Sequence, residues 1–197
     1  MINHPSLLVN VLIVVGEGFW VFSIAAQLIK LYRTRNTRGL SPVSQTLNGA
    51  GNVAWATYFS VKHLWFPFTT NVIMLGLVTA TLGYTLSDRK KFGQGLVTIA
   101  VVGPLTSYLL LTHPASGGWI GMGYNWIAGT PWLARIIRRK KVSGISERGM
   151  YFAFGAMFCV LSYGLIINSH PLVVGCLQGL VYESVALKFY YRHRHHG

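Results

Sequence analysis

Acidic residues are nearly missing from this sequence: four Asp and Glu stand against 17 Lys and Arg in 197 residues, a formal net charge of +13. Charged residues make up only 11% of the chain, under half of the roughly 25% that a soluble domain uses to cover its surface. That scarcity excludes a water-facing globule, and a hydrophobic share of 52% names the replacement for water as lipid. Cysteine is scarce as well. Cys159 and Cys176 each sit inside an apolar run, with no CxxC pair to make a zinc or redox motif, and both read as small buried hydrophobes. No nucleophile elbow, phosphate loop or zinc-binding helix is present, so neither an enzyme nor a cofactor is expected. A cleavable leader is not expected either. The first apolar run follows uncharged Asn3 and His4 and ends at a basic loop without a small-residue cleavage site.

What the chain does have is long apolar runs. Stretches 7–31, 43–62, 68–87, 95–112, 118–137, 149–168 and 172–190 approach the roughly 20 residues a helix needs to cross the hydrocarbon core. The fourth is the shortest and contains Pro104. Lipid cannot satisfy free backbone groups, and the runs lack the alternation of barrel strands, so each is expected to be helical. The positive charge fits a nucleic-acid binder in amount but not in placement. It falls in clusters after odd-numbered runs: Arg33, Arg35 and Arg38; Arg89, Lys90 and Lys91; Arg138 to Lys141 with Arg148; and Arg192 with Arg194. Loops after even-numbered runs hold only Lys62, His63, His113 and His170. Under the positive-inside rule this gives seven spans, an outside N-terminus and a cytoplasmic C-terminus, in a bacterial inner membrane. The tail from Tyr190 to His196 reads as an interfacial aromatic anchor and positive charge, not as a metal site.

The sequence also repeats itself. Gly39-Leu40-Ser41 after the first run matches Gly144-Ile145-Ser146 after the fifth, and the same offset pairs Arg33 with Arg138 and Tyr58 with Tyr163. The expected fold is all-α, with two parallel three-helix repeats in a 3+1+3 arrangement: 1–92, a linker helix in 93–116, and 117–197 with its basic tail. Parallel repeats of this kind are a transporter architecture, with a solute site near the midplane between them.

These residues resemble the PQ-loop superfamily, which includes the SWEET and SemiSWEET sugar transporters. The first copy reads Ala26-Gln27, a basic loop, Gly39-Leu40-Ser41 and Trp55-Ala56-Thr57-Tyr58; the second reads Thr130-Pro131-Trp132, a basic run, Gly144-Ile145-Ser146 and Tyr163-Gly164. Neither copy holds an intact Pro-Gln pair. The resemblance implies a carrier for a small polar solute such as a sugar, with Pro131 and the Ala26-Gln27 position as hinges. A mid-helix proline removes one backbone hydrogen bond, which suits that role. The same resemblance implies a pocket lined by Trp55 and Asn71, with Tyr58 extending its wall. The counterparts of these three in the second copy are Val160, Cys176 and Tyr163. Amino-acid or vitamin carriers, a cargo receptor and a non-transporting scaffold are alternatives on the same fold. One chain with two repeats can form a complete path, and a homodimer stays compatible with it.

Gln45, Asn48, Asn52 and Trp55 are spaced 3, 4 and 3 and share one helical face, which should turn away from lipid. Gln45 and Asn48 are expected as interhelical glue beside Gly49 and Gly51, and Asn52 with Trp55 as pocket residues. An indole face suits the C–H face of a pyranose, and an amide suits adjacent hydroxyls. Asn125 and Gln178 are further polar groups available to a pocket. Glu17 and Glu183 lie inside apolar runs, where a charged side chain costs about 2.5–3.5 kcal/mol. Each is expected to bind a proton or a cationic solute, or else to join helices as a hydrogen-bonded carboxyl.

Overall fold

The computed structural model describes residues 7–37, 40–87, 89–139 and 145–193. Asn3, His4, Arg38, Gly39, Lys140 to Gly144 and the tail from Arg194 lie outside them. Seven helices are described: α1 (Leu7–Thr34), α2 (Pro42–Val61), α3 (Trp65–Leu86), α4 (Arg89–Thr112), α5 (Gly117–Arg139), α6 (Glu147–Ile166) and α7 (His170–His193). A single 3-10 turn, Pro114–Ser116, leads into α5. Five of the seven (α1, α3, α4, α6 and α7) are long and apolar enough to cross a membrane. Helices α2 and α5 are less apolar because they carry Gln45, Asn48, Asn52 and Asn125, all of which line an internal cavity. The chain is an all-α integral membrane protein.

The Gly-aliphatic-Ser segments have a physical role at helix starts. Ser41 is in extended conformation and its Oγ accepts from the Ser44 backbone N–H at 3.3 Å, capping α2. Ser146 does the same for α6, accepting from Gly149 N–H at 3.1 Å. The aliphatic residue before each cap, Leu40 or Ile145, is buried and helps to fix where the helix enters the bundle.

The turns that end these helices also match. His63 and Asn168 both adopt left-handed backbone, with φ of 56° and 54°, a conformation for which His and Asn are enriched among non-glycine residues. Leu64 N–H donates to Phe59 O at 2.8 Å, and Ser169 N–H donates to Gly164 O at 2.9 Å. Helices α2 and α3 superimpose in sequence on α6 and α7 at a displacement of 105 residues, the distance from Ser41 to Ser146.

Packing follows the same correspondence. Helix α3 lies against both α1 and α2, as α7 lies against both α5 and α6. Across the centre α1 packs on α6 and α2 packs on α5, which closes a ring of six helices. Helix α4 stands outside the ring, against α2 and α3. Leu47, Val102, Tyr124 and Ala128 are buried together there, and Thr106 Oγ donates to Tyr124 Oη at 2.7 Å.

Candidate functional site

The ring encloses a cavity of about 320 Å³, lined from all six of its helices. The lining continues toward the basic-loop end as far as Gln27, Ser41 and Ser146. The other end is shut by packed aromatics. Trp55, Tyr58, Phe59, Tyr163 and Leu172 are buried in one cluster with Val9, Ile13, Val160 and Cys176. Trp55 stacks on Phe59, with ring centroids 5.8 Å apart, and meets Tyr58 edge-on. Tyr58 Oη and Ser169 Oγ form a hydrogen bond of 2.9 Å from α2 to the α6–α7 turn, tying the two sides together.

Close approach at this shut end rests on glycine. A Cβ at Gly117 would lie 2.7 Å from the Ala54 carbonyl oxygen and 3.1 Å from the Tyr58 nitrogen. A Cβ at Gly121 would lie 2.9 Å from the Trp55 indole. The N-terminal half of α5 can reach α2 only because these positions carry no side chain.

The cavity wall takes in Trp55, Asn52, Asn71, Cys176, Glu17, Glu183 and Gln27. Asn71 is buried and sits two turns into α3, because that helix begins at Trp65 rather than after Pro67. Its Nδ2 donates to Pro67 O at 2.8 Å. Glu17 is 3% exposed, and its Oε2 accepts from Thr70 Oγ at 2.8 Å. Glu183 also faces the cavity, with one carboxylate oxygen buried and without a hydrogen-bond partner among the described residues. Tyr58 and Tyr163 stand outside the wall, in the closing cluster. Gln45 and Asn48, expected as glue between helices, are part of the wall instead. Asn125 and Gln178 join them.

The two hinge positions differ. Gln27 Oε1 accepts from Ser146 N–H at 2.8 Å and ties α1 to the capped start of α6. Beside it, Lys30 Nζ donates to Ile145 O at 2.5 Å and Ser23 Oγ to Gly149 O at 2.7 Å. Ala26 is half-buried on α1 and does not line the cavity. Pro131 lies within a continuous α5, likewise off the wall. Next to it, Thr130 Oγ donates to the Trp126 carbonyl at 3.0 Å.

The sequence reading did not identify Trp20, Trp132 and Tyr182, which also face the cavity. They sit in apolar runs among aromatics that face outward, such as Trp119 and Trp126, and residue type alone cannot separate the two sets.

Comparison with known proteins agrees with this architecture. A family model described as the PQ loop repeat matches residues 8–68, which span α1, α2 and the first turn of α3. A sugar transporter SemiSWEET of Escherichia coli (strain UMEA 3162-1) is 34% identical over 73 residues. That stretch is 37% of this chain and 82% of the relative, so the relative is less than half as long. The chain belongs to the PQ-loop superfamily of SWEET and SemiSWEET proteins, which places it among membrane transporters and not enzymes.

Proposed function

We propose that this chain carries a small polar solute such as a sugar across a bacterial inner membrane, by alternating access between two three-helix bundles. The bundles are 1–92 and 117–197, and the helix in 93–116 links them so that both keep one orientation. The observation that carries this reading is the cavity between the halves, whose lining runs to Gln27, Ser41 and Ser146 at the basic end and which is shut at the other by Tyr58, Ser169 and the aromatics around them. A solute path needs such an enclosed space with a few placed polar groups. With the basic loops cytoplasmic, the conformation faces inward, and opening outward requires the Tyr58–Ser169 contact to part. The sugar transporter named above supports a sugar-like solute.

A receptor on this fold would need a positively charged pocket for an acidic ligand. The charged side chains described on this wall are instead carboxylates, which favours the carrier. Because one chain supplies all six ring helices, a single copy suffices for the path.

Counterflow into proteoliposomes holding the purified chain tests the proposal, using sugars, amino acids and vitamins as labelled solutes. The expected result is saturable accumulation of one class, driven by the same unlabelled solute inside. Flux equal to empty liposomes for every class, with the protein correctly inserted, would count against a carrier.

A further inference from the structure

The charge balance of the cavity is opposite to that of the chain. The protein carries +13 overall, yet the charged side chains described on the wall are Glu17 and Glu183, with no Lys, Arg or His among the described lining residues. Lys30, one turn past Gln27 on α1, donates its ammonium to the Ile145 carbonyl. Some of the neutral polar groups turn a donor to backbone. Asn71 and Asn52 turn their amide nitrogens to the backbone of their own helices, at Pro67 O and Asn48 O, both 2.8 Å away. Each nitrogen keeps one further N–H, beside a carbonyl oxygen that can only accept. Ser23 and Thr81 likewise donate to backbone carbonyls, those of Gly149 and Leu77. The wall thus offers acceptors at these residues, beside donors from the Trp indoles and from the amides of Gln45, Asn48, Asn125 and Gln178.

Depth matters too. Glu17 lies one turn beyond Ile13 of the closing cluster, and Glu183 lies seven residues beyond Cys176 of the same cluster. Four and seven residues of helix rise about 6 and 10 Å, so Glu183 stands farther from the cluster than Glu17. The wall also presents Trp20, Trp55, Trp132 and Tyr182. Aromatic faces attract cations, and more strongly where water is excluded. Two carboxylates with no cation among the described wall residues are costly in such a place, and a bound cation offsets that cost.

We infer that the solute carries a protonated amine, which meets Glu17 near the shut end and Glu183 nearer the basic end. This rests on the carrier reading and narrows its substrate class to an amino sugar: hydroxyls donate to the Asn oxygens, a C–H face lies on Trp55, and the ammonium pairs with a carboxylate.

The test compares D-glucosamine with D-glucose and N-acetyl-D-glucosamine, which share the ring but lack the charge. Uptake into proteoliposomes is measured with the amine protonated, and binding is followed in detergent by tryptophan fluorescence. Expected are saturable glucosamine uptake, stimulation by an inside-negative potassium diffusion potential, and at least a tenfold loss in both Glu17→Gln and Glu183→Gln. N-acetylation should abolish uptake and quenching alike. Glucose uptake that matches glucosamine and survives both substitutions would overturn the inference while leaving a carrier in place. Glucosamine quenching without uptake would support the amine site and overturn the carrier reading. No quenching by glucosamine would overturn the inference.

Discussion

Trp55→Ala should cut saturable solute exchange by at least about 30-fold, the effect of losing roughly 2 kcal/mol from a dominant contact. Trp55 is 8% exposed, and it both walls the cavity and anchors the closing cluster through Phe59 and Tyr58. Truncation would remove the flat apolar face that a ring solute lies on, and would also unpack the seal. The second effect alone costs stability, on the order of 3 kcal/mol for a large aromatic cut to alanine. Trp55→Phe separates the two. It keeps an aromatic surface for the cluster and gives up the indole N–H and part of the stacking area. Thermal stability in detergent should then stay near that of the parent, while initial rates of exchange fall by a smaller factor than in Trp55→Ala. Full exchange activity in a folded Trp55→Ala protein would remove this residue from the path.

Gly117→Ala should destabilise the protein by about 2 kcal/mol, within the range for overpacking an interior. The added methyl would meet the Ala54 carbonyl oxygen and the Tyr58 nitrogen, both backbone atoms of α2 that cannot swing aside. Relief requires α5 to move off α2 at the shut end. Gly123→Ala on the same helix is the control, because its Cβ would meet nothing within 4 Å. There the gain in helix propensity, up to about 1 kcal/mol, is unopposed, and stability should stay level or rise. Size-exclusion profiles after heating would rank the two. Equal melting of both variants would mean that the α2–α5 contact does not depend on glycine.

The helix count and the duplicated start motif were legible because both rest on short-range chemistry. Apolar length decides what enters lipid, and a serine oxygen that takes the N–H three residues on decides where α2 and α6 begin. The start of α3 was less legible. Pro67 looks like a boundary, yet proline is tolerated in the first turn of a helix, and α3 runs from Trp65 straight through it. That shift takes Asn71 from a helix start to a buried position on the wall. The polar stripe of α2 was readable as inward-facing, but not what it would meet: Gln45 and Asn48 face open space, and not a neighbouring helix, because the α2 face they share looks across the ring. The Tyr58 and Tyr163 pair shows the converse. Their matching positions marked the duplication, while only the packing of α2 against the α6–α7 turn assigns Tyr58 to the seal.

The central claim, that the space inside the ring is a solute path reached alternately from each side, is tested most directly by accessibility. Asn125 is exposed to the cavity, so Asn125→Cys can report on it in a protein whose two native cysteines, Cys159 and Cys176, are replaced by serine. A membrane-impermeant maleimide is applied to oriented vesicles from one side or the other. The account predicts labelling from both sides, faster from the side of the basic loops, toward which the cavity lining runs. Labelling from one side alone, however long the exposure, would contradict it.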